Sequence, residues 1–533
     1  MRLRFMKKYM LKRILFSIFS LLVVVMVVMF LVYTCIQRNV IFQTDDVWNK
    51  KSNNDRVVYE YVQYQKYGYL NYTDYTTFIK NKYTAIYGDD YYTQSDYLAD
   101  KNAIQFAETF QENESVQEFI NEYGSKNGTS IKYLPPIKYK SGKTKPGGTG
   151  YLLAVHERSV VLRLLDYIAG FISVETTDMI EDPNLTDRYI RVEKDPYSGF
   201  YAVVGSGTKH KYLLYFDDRF PFIHQNFIHV NLGVSYTTYR GQEITSVMNT
   251  PTGELRVLKQ QYPTMIGTDE YVDTAIDFHS LSYNTGTVSD TEKEQFTDNY
   301  TVYSYKRTGL STIENSFVIG IIANILLFLL GVPLGILMAR KKDGLVDKIG
   351  SAYIVFIMAV PSLAYIFMFA AIGTTLFGLP YKFANAEVKI LAYVLPVISL
   401  ALPSIGSLMR WTRRYMIDQM NSDYVKFARA EGLSEREIYN IHISKNAMIP
   451  LVHGIPSNII FCLTGALVTE RVYGVPGVGR LLIDAINQHD NGVVVAATVF
   501  YTALSLISLI LGDVLMAKYD PRISLSSEGG GGR

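Results

Sequence analysis

The sequence predicts an integral membrane protein with an all-α core of about six transmembrane helices and a large α+β domain inserted between the first and second of them. Apolar runs close to the roughly 20 residues that a helix needs to cross a bilayer recur along the chain. A long polar segment rich in tyrosine separates the first run from the others. Lysine and arginine residues lie at the ends of the runs rather than in one patch, which indicates membrane topology rather than nucleic-acid binding.

The first apolar run, Ile14–Ile36, follows a basic stretch within residues 1–13. This arrangement is typical of a signal peptide or of a first membrane anchor. The run is longer than the apolar core of an ordinary signal peptide, and no small-residue cleavage site follows it. We therefore expect a retained transmembrane helix with its N-terminus in the cytoplasm, with a cleaved signal as the alternative.

The other predicted spans lie within residues 312–516. They are Phe317–Met338, Ile349–Phe377, Ile390–Met409, Ala447–Thr469 and Val493–Met516. With a cytoplasmic N-terminus, the basic loops after the second and fourth spans and the tail 517–533 all fall inside, as the positive-inside rule requires. The prediction is a multi-pass protein of the cell membrane with both termini in the cytoplasm.

Proline and glycine residues interrupt several of these spans. The prolines are Pro333, Pro361, Pro396, Pro403 and Pro456. Each removes a backbone donor and leaves a carbonyl that needs another partner, so such kinks suit either a polar pathway or ordinary helix packing. Gly331 and Gly335 are about one turn apart, which predicts close packing against another helix.

The segment 37–311, called the insert domain below, is expected outside the cell as a folded α+β domain. The helical periodicity of Gly150–Ile172 predicts a helix. Strands are predicted at Tyr189–Val192, Phe200–Val204 and Tyr212–Phe216, from their β-branched and aromatic composition. A turn at 195–199 is expected to join the first two strands.

A series of tyrosines marks the beginning of the insert domain, at positions 59, 61, 64, 67, 69 and 72. Tyrosine combines apolar area with a hydroxyl group at a low cost in side-chain entropy, which suits a recognition surface. The same residues also suit a core. The sequence leaves both interpretations open.

Several functional classes are excluded by motifs that the sequence lacks. There is no GxxxxGK[ST] loop, so we expect no ATP hydrolysis by this chain alone, and no HExxH motif or nucleophile constellation indicates an enzyme. Cys35 and Cys462 lie in apolar runs and the histidines are scattered, which argues against disulfides and metal sites. The formal net charge of +2 argues against a nucleic-acid partner. We predict no catalytic residue and no bound cofactor.

The stretch from Arg410 to Pro450, with the predicted inside loop at 410–446, has the clearest local signals. Ser422 or Asp423 is suited to cap a short helix, and Gly432 is suited to end it in a left-handed turn. The residues expected to share one face of this helix are Tyr424, Phe427, Ala428 and Glu431.

Ser434 and Glu437 have the spacing of a capping box, which predicts a second helix leading to the fifth span. The small residues Ala428, Ala430 and Gly432 would allow another protein to approach closely. The basic residues Lys426, Arg429 and Arg436 would pair with acidic groups of that protein or with lipid headgroups. From these residues alone, the pair of helices is either a docking element or an amphipathic surface element.

This loop closely resembles the EAA loop of binding-protein-dependent ABC importers, in the form found in the oligopeptide and dipeptide permease family. The resemblance rests on Phe427-Ala-Arg-Ala-Glu-Gly-Leu-Ser-Glu-Arg-Glu-Ile438 and on Lys445-Asn-Ala-Met-Ile-Pro450. The stretches Glu470–Ile486, Asp520-Pro521-Arg522 and Asn231-Leu-Gly-Val-Ser-Tyr236 are also similar to that family. The insert domain resembles the expanded version found in Gram-positive oligopeptide permeases of the B type.

The resemblance implies that Tyr424–Ile438 is a coupling helix, which in this family inserts into a groove of a cytoplasmic ATPase. The residues that it assigns to this role are Tyr424, Lys426, Phe427, Ala428, Arg429, Ala430, Glu431, Gly432, Leu433, Ser434 and Glu437. Lys426 stands where the general motif has a glutamate, so this position departs from the family pattern.

The function implied by the resemblance is that of a permease subunit of an ABC importer for oligopeptides. The implied partners are a second, homologous permease, two ABC ATPases that use ATP, an extracellular peptide-binding protein and membrane lipid. The alternatives are transport of a dipeptide or a metal chelate, or a membrane-anchored receptor or adhesin that acts through the insert domain.

A peptide needs a partly polar route, because its backbone cannot leave all its hydrogen bonds unmade in lipid. The candidates to line such a route are Asn324, Ser362, Ser404, Ser457, Asn458 and Asp513. Hydrogen bonding between helices is the alternative role for each of them. Asp513 requires a partner or water if it lies within a span.

Overall fold

The computed structural model describes most of the chain. The described residues are 2–35, 38–174, 189–194, 199–205, 211–216, 223–225, 227–251, 255–256, 258–260, 272–274, 306–307 and 309–519. The predicted turn at 195–199 lies outside them except for its last residue. The motif Asp520-Pro521-Arg522 also lies outside them.

The chain begins with α1 (Arg2–Cys35), a helix of 34 residues over most of the predicted first span. The insert domain contributes α2 (Asp46–Lys50), α3 (Asn53–Lys66), α4 (Tyr75–Tyr87), α5 (Ser95–Ala103), α6 (Glu114–Gly124), α7 (Val160–Gly170) and α8 (Ile244–Asn249). Side chains cap several of these helices. Asp45, for example, accepts hydrogen bonds from the first backbone N–H groups of α2, and Ser159 does the same for α7.

The first sheet of the insert domain is antiparallel and consists of β1 (Leu70–Asp74), β2 (Thr129–Leu134) and β3 (Tyr151–Glu157), with β3 in the centre. One face packs on α4 and α6, where Leu152 shares a core with Ile79 and Phe119. On the other face, Leu153 and Val155 pack against tyrosines of α3. The central strand is therefore buried on both sides.

The prediction of one helix over Gly150–Ile172 is wrong in its first part. Residues 151–157 form β3, and the helix α7 begins after Ser159. The run Leu152-Leu-Ala-Val155 is buried on both faces of the sheet. A continuous apolar run of this kind shows no alternation, so periodicity does not distinguish a strand from a helix.

A second group of strands follows: β4 (Ile172–Val174), β5 (Ile190–Lys194), β6 (Tyr201–Gly205), β7 (Lys211–Phe216), β8 (Ile223–Gln225) and β9 (Ile228–Val230). The strands β5, β6, β7 and β8 form an antiparallel meander, and β4 pairs with β9. The three predicted strands are confirmed as β5, β6 and β7, with small shifts at their ends. Short strands β10 (Leu255–Arg256), β11 (Leu258–Gln260), β12 (Val272–Thr274) and β13 (Lys306–Arg307) complete the described part of the domain.

The early tyrosines of the insert domain are packed within the protein rather than displayed as a free surface. Tyr69 is only 1% exposed. The tyrosines packed on the first sheet are Tyr61, Tyr64 and Tyr72. Tyr59 donates a hydrogen bond to Asp45 Oδ2 at 2.8 Å, and burial raises the pKa of Tyr59 to about 12. The structure thus favours the core interpretation for these residues.

The rest of the chain is helical: α9 (Thr312–Arg340), α10 (Leu345–Ala359), α11 (Ser362–Phe377), α12 (Val394–Met420), α13 (Asp423–Ala430), α14 (Glu435–Glu437), α15 (Ser444–Tyr473), α16 (Val478–Asn487) and α17 (Asn491–Tyr519). Among the described residues, four helical stretches are long and apolar enough to cross a membrane, at Met10–Thr34, Thr312–Arg340, Lys389–Met420 and Asn491–Met516, and the bent pair of α10 and α11 gives up to five. The predicted span Ala447–Thr469 lies in α15, which has 30 residues but is not one of these stretches.

The predicted span Ile349–Phe377 is broken rather than continuous. The chain bends by 113° between its two helices, α10 and α11. Val360 has an extended backbone, with φ −81° and ψ 130°, and Pro361 precedes α11. The helical region is sterically disfavoured for a residue before proline, and proline has no N–H to continue the ladder. Of the other predicted interruptions, Pro333, Pro403 and Pro456 lie inside continuous helices, and Pro396 lies in the first turn of α12.

The helices α9 and α12 pack with their backbones close together. A Cβ atom placed on Gly331 would lie 3.1 Å from the side chain of Leu408, and one on Gly335 would lie 2.6 Å from Cβ of Thr412. The predicted packing role of the two glycines is confirmed. The core around this contact is formed by α9, α12 and α15, with Ile319, Ala323, Leu327, Leu400, Ile405 and Ala466 among its members.

The helix bundle has two different ends. At one of them, called the basic end, Arg13 Nε of α1 lies 3.1 Å from Asp513 Oδ2 of α17, which gives Asp513 the partner that its position in a span requires. The C-terminal ends of α9 and α12 lie at this end, together with the loop 410–446. The insert domain contacts the opposite end, called the domain end, where the hydroxyl groups of Tyr33 and Tyr236 are 3.2 Å apart.

Asp490, just before α17, attaches the insert domain to the helix bundle. Its carboxylate is buried and accepts hydrogen bonds from Ser235 Oγ at 2.6 Å, from Tyr236 N at 2.9 Å and from Thr238 N at 2.9 Å. It also accepts from Val493 N, in the first turn of α17, at 3.2 Å. One side chain therefore satisfies donors of the insert domain and of the bundle together.

We expect Asp490→Ala to lower the free energy of unfolding by about 3 kcal/mol or more, because several buried donors would lose their acceptor at about 1–3 kcal/mol each. Thermal unfolding of the purified chain in detergent measures the effect. The control is Asp89→Ala, which removes an exposed carboxylate of the insert domain. Equal melting temperatures for the two variants would contradict this role of Asp490.

Candidate functional site

The candidate site begins where α12 ends, with the short helix α13. Ser422 precedes it with an extended backbone, φ −76° and ψ 153°, as an N-cap residue has. Within the described chain its hydroxyl caps no N–H group of α13 and instead donates to Gln419 O at 2.6 Å. The predicted start of the helix at Ser422 or Asp423 is confirmed, although the expected side-chain cap is not formed.

Gly432 ends this helix in the manner predicted. Its φ is +84°, and the following N–H of Leu433 donates to Ala428 O at 3.2 Å, which closes the last turn. No described atom lies within 4 Å of a Cβ placed on Gly432. The backbone conformation, rather than a lack of space, is what requires glycine here.

The capping box at Ser434 and Glu437 is formed. Ser434 Oγ accepts from Glu437 N at 3.3 Å, and Glu437 Oε2 accepts from Ser434 N at 3.0 Å. The helix that starts there, α14, continues through a π-helical segment, Ile438–Ile443, directly into α15. The second predicted helix and α15 are thus one continuous element.

The inner face of α13 is buried in a small apolar cluster, called the loop core. Val425 is fully buried and Ala428 is 5% exposed. The other buried members of the loop core are Ala339, Met416, Ile438, Ile443 and Ala447, from α9, α12, the π-helical segment and α15. The small size of Ala428 allows this packing inside the chain, whereas its predicted role is to allow the approach of another protein.

The outer face of α13 carries Phe427, which is 71% exposed. Ala430, Glu431 and Gly432 are also exposed. The predicted single face of Tyr424, Phe427, Ala428 and Glu431 is therefore wrong. Ala428 is buried and Tyr424 packs against the loop core, whereas Phe427 and Glu431 are exposed. A large aromatic side chain directed into solvent on a short helix is typical of an interaction surface.

The charged groups of the loop pair with one another. Lys426 Nζ lies 2.8 Å from Asp423 Oδ1, and Arg429 makes two hydrogen bonds with the carboxylate of Glu435, at 2.8 and 3.3 Å. The hydrogen bond from Arg429 lowers the pKa of Glu435. Exposed pairs of this kind contribute only about 0–1 kcal/mol, so acidic groups of a partner can replace them. Arg436 forms no ion pair with the described residues.

An ion pair between a half-buried arginine and a buried carboxylate connects α10 to α12 at the basic end. Arg413 Nε donates to Asp347 Oδ1 at 2.6 Å and Arg413 Nη2 to Asp347 Oδ2 at 2.7 Å, a two-pronged arrangement. Asp347 is 4% exposed and also accepts from the N–H of Asp343 at 2.9 Å. On α12, Arg413 lies about one turn from Met416, which is a member of the loop core. The ion pair and the loop core therefore hold the same segment of this helix.

Ser404 and Asn458, two of the predicted route residues, line the same cavity. It has a volume of about 240 Å³ and lies between α9, α12 and α15. Its other lining residues include Leu327, Ser407, Trp411, Tyr415, Pro450 and Gly454. This cavity therefore combines hydroxyl and amide groups, aromatic rings and a helix that contains proline.

The other predicted route residues do not line this cavity. Asn324 is 5% exposed, and its Oδ1 has no hydrogen-bond partner among the described residues. Ser362 and Ser457 are exposed, and Asp513 is paired with Arg13. The structure brings two of the six candidates together and places the other four elsewhere.

Glu470 is a buried carboxylate that is not among the predicted site residues. Its Oε1 accepts from Ser316 Oγ at 2.7 Å, and its Oε2 accepts from the N–H groups of Gly479 at 2.8 Å and Arg480 at 3.1 Å. Glu470 thereby caps the N-terminus of α16 from the C-terminal end of α15. Its hydrogen bond with Ser316 connects these two helices to α9. An acidic residue at the end of an apolar run, followed by a glycine-rich turn, was the available signal.

Comparison with known proteins shows similarity to transport proteins of bacterial membranes. The family model described as "Binding-protein-dependent transport system inner membrane component" matches residues 331–525. The oligopeptide transport system permease protein AmiC of Streptococcus pneumoniae is 35% identical over 537 aligned positions, which cover 98% of this chain and all of AmiC. The dipeptide transport system permease protein DppB of Bacillus subtilis is 30% identical over 216 positions, 40% of this chain and 69% of DppB.

Among solved structures, the methionine ABC transporter MetNI in an inward-facing conformation matches 39% of this chain and 94% of its own chain. The sequence identity is 13% and the TM-score is 0.34.

We expect Arg413→Met to lower the free energy of unfolding by about 3 kcal/mol, because it leaves the buried Asp347 carboxylate without its counter-charge. The double variant Asp347→Leu/Arg413→Met removes both charges and should be more stable than Arg413→Met. Thermal unfolding in detergent compares them, with Arg414→Met as the control for the loss of an exposed arginine. A double variant that is less stable than Arg413→Met would contradict the prediction.

Proposed function

Because the chain belongs to the family of binding-protein-dependent transport system inner membrane components, we propose that it is the membrane-spanning permease subunit of an ABC importer for oligopeptides. The observation that carries this proposal is the 35% identity to an oligopeptide permease over 98% of the chain. That similarity includes the insert domain, whereas the match to a dipeptide permease covers 40% of the chain. Oligopeptides are therefore favoured over dipeptides as the substrate.

In the proposed topology the basic end faces the cytoplasm and the insert domain lies outside the cell. The turn between α9 and α10 contributes Arg340, Lys341 and Lys342, and the end of α12 contributes Arg410, Arg413 and Arg414. Such positive charge next to spans favours the cytoplasmic side. A permease with this orientation presents its loop 410–446 to cytoplasmic partners and its insert domain to extracellular ones.

The proposed partner of α13 is an ABC ATPase. It supplies the ATP hydrolysis, because the sequence of this chain has no GxxxxGK[ST] loop. The exposed Phe427 is the anchor of this contact. The neighbouring Ala430 and Gly432 are small, so a partner can approach Phe427 closely. A second, homologous permease and a second ATPase complete the membrane complex. An extracellular peptide-binding protein delivers the substrate to the domain end.

The loop core explains how movement of the ATPase would reach the spans. A displacement of α13 acts on α9, α12 and α15 at once, because Val425 and Ala428 are packed between residues of all three helices. The capping box and the continuous path from α14 into α15 avoid a flexible joint between the loop and the membrane. The ion pair of Asp347 with Arg413 extends the same connection to α10.

The proposed translocation route includes the cavity lined by Ser404 and Asn458. It lies on the helices that the loop core moves, so the same displacement would change its shape. Its hydroxyl and amide groups offer hydrogen bonds to a peptide backbone of any sequence, which suits a transporter for varied peptides. The exposed Ser362 and Ser457 are available to a neighbouring helix, as in a pair of permeases.

Gentle detergent purification of the chain from its native membrane tests the class of function. Recovery of a second permease and two ATPases, with uptake of labelled oligopeptides that excess peptide inhibits, supports the proposal. A stable chain without ATPases would support a receptor or adhesin. Inhibition of uptake by metal chelates but not by peptides would assign another solute.

We expect Gly432→Val to reduce peptide uptake at least tenfold while the protein still inserts into the membrane. A β-branched residue at φ +84° is strained by roughly 1–3 kcal/mol, so the turn after α13 would rearrange. Uptake of a labelled peptide and the amount of chain in the membrane fraction are measured together. The matched control is Gly142→Val, at φ +83° with no described atom within 4 Å of its Cβ, in the insert domain. Normal uptake by Gly432→Val would refute the role of this turn.

We expect Phe427→Asp to reduce co-purification of the ATPases at least tenfold, because a buried aromatic anchor contributes about 2 kcal/mol or more to an interface. Phe427 is exposed in this chain, so its replacement should leave the melting temperature of the isolated chain unchanged. Ile86→Asp is the matched control, since Ile86 is an exposed apolar residue of the insert domain. If both variants retained the ATPases equally, α13 would not dock through Phe427.

A further inference from the structure

A second cavity lies at the domain end, between the insert domain and the helices α1 and α17. Its volume is about 240 Å³. The lining residues that define it are Met29 and Tyr33 of α1, Val495 of α17, Lys66 at the end of α3, and Arg163 and Tyr167 of α7. None of its described lining residues is shared with the cavity of Ser404 and Asn458.

Arg163 is the unusual residue of this cavity. It is 6% exposed, and its guanidinium group lies between two aromatic rings, 3.7 Å from the ring centre of Tyr33 and 3.8 Å from that of Tyr69. No carboxylate of the described residues forms an ion pair with it. Stacking on two rings offsets part of the cost of burying a cation, but it supplies no counter-charge.

The remaining charges of the cavity do not neutralise Arg163. Arg158 forms an ion pair with Asp166, so these two cancel. Lys66 is exposed at the edge of the cavity and forms no ion pair with the described residues. Two cationic groups, one buried and one at the rim, are therefore available to an anion.

The helix α7 relates this cavity to the surface of the membrane. Its inner side packs on α1, where Tyr167 joins the cluster of Val25 and Met29. Its outer side is apolar and exposed, with Val161 64%, Leu162 50% and Leu165 56% accessible. A short helix with an exposed apolar face, lying beside the end of a transmembrane helix, is typical of an element embedded in the lipid interface.

Strand residues continue this exposed apolar face. Ile172 and Val174 of β4 are 56% and 50% exposed, and Ile228 and Val230 of the paired strand β9 are also exposed. In a soluble domain such a surface would be unfavourable. Next to α1, such a surface suits the depth of the headgroups and upper acyl chains.

We propose that this cavity binds the headgroup of an anionic phospholipid. Arg163 and Lys66 hold the phosphate, the hydroxyl groups of the surrounding tyrosines accept or donate further hydrogen bonds, and Met29 and Val495 contact the start of an acyl chain. The bound lipid supplies the counter-charge that no described residue gives Arg163. It also fixes α7 against α1, which makes the position of the insert domain depend on the lipid.

A peptide carboxylate fits this site less well than a lipid. The cavity belongs to the flank formed by α1 and α17, while the proposed route lies among α9, α12 and α15. Its apolar surroundings continue into an exposed lipid-facing surface rather than into a polar passage. The inference requires that α1 and α17 cross the membrane, and it does not depend on which solute is transported.

The test is native mass spectrometry of the purified full-length chain with phosphatidylglycerol or phosphatidylcholine of identical acyl chains. We expect the wild-type protein to retain one phosphatidylglycerol in preference to phosphatidylcholine. Lys66→Gln and Arg163→Gln should each weaken this binding roughly tenfold, as the loss of a charge-assisted hydrogen bond does. Arg163→Lys should retain more lipid than Arg163→Gln. The matched control is Lys101→Gln, an exposed lysine of the same domain away from the cavity.

Equal retention of the two lipids, or Lys66→Gln binding that equals the control, would overturn the proposal. Displacement of the lipid by inorganic phosphate at a similar concentration would assign a free-anion site instead. Displacement by a peptide with a free C-terminal carboxylate, but not by its amide, would assign a peptide site. If Arg163→Gln does not fold, Lys66→Gln decides the result, because its exposed side chain is not part of the core.

Discussion

The loop core is the contact on which the proposed coupling depends. Val425 and Ala428 of α13 are buried among residues of α9, α12 and α15, and burying a side chain of the size of valine contributes about 1.5–3 kcal/mol. The ion pairs on the exposed side of the same helix contribute about 0–1 kcal/mol each. Apolar packing therefore holds α13 in place, while its charges remain free to exchange partners. A partner can bind the outer face without disturbing the attachment of the inner one.

Local signals in the sequence were sufficient for the boundaries of this loop. Gly432 and the pair Ser434 and Glu437 act within one turn of the chain, so their backbone requirements are visible in a few residues. The direction of α13 was not predictable in this way, because both Phe427 and Ala428 are apolar and only the surrounding helices determine which is buried. The same limit applies to β3, where burial on both faces removes the alternation that identifies a strand.

The buried carboxylates show a second limit of sequence reasoning. Asp490, Glu470 and Asp347 are held mainly by backbone N–H groups, a hydroxyl group or an arginine, and most of these partners lie far away in the sequence. Backbone donors are present at almost every position, so nothing in the residue types indicates where a carboxylate will find them. The break at Pro361 is intermediate, since proline marked a possible interruption but packing decided that only this one of the five separates two helices.

The bonds of Asp490 also have a consequence for the order in which the protein is assembled. Tyr236 and its neighbours are synthesised about 250 residues before the carboxylate that completes their hydrogen bonding. Because domains of a growing chain fold as they emerge, the insert domain has to reach a nearly finished state with these donors still bound to water. The hydrogen bonds between the insert domain and Asp490 form only after Asp490 has been synthesised. A chain that stops before Asp490 would lack this attachment, and its insert domain would rest on the bundle through contacts such as those with α1.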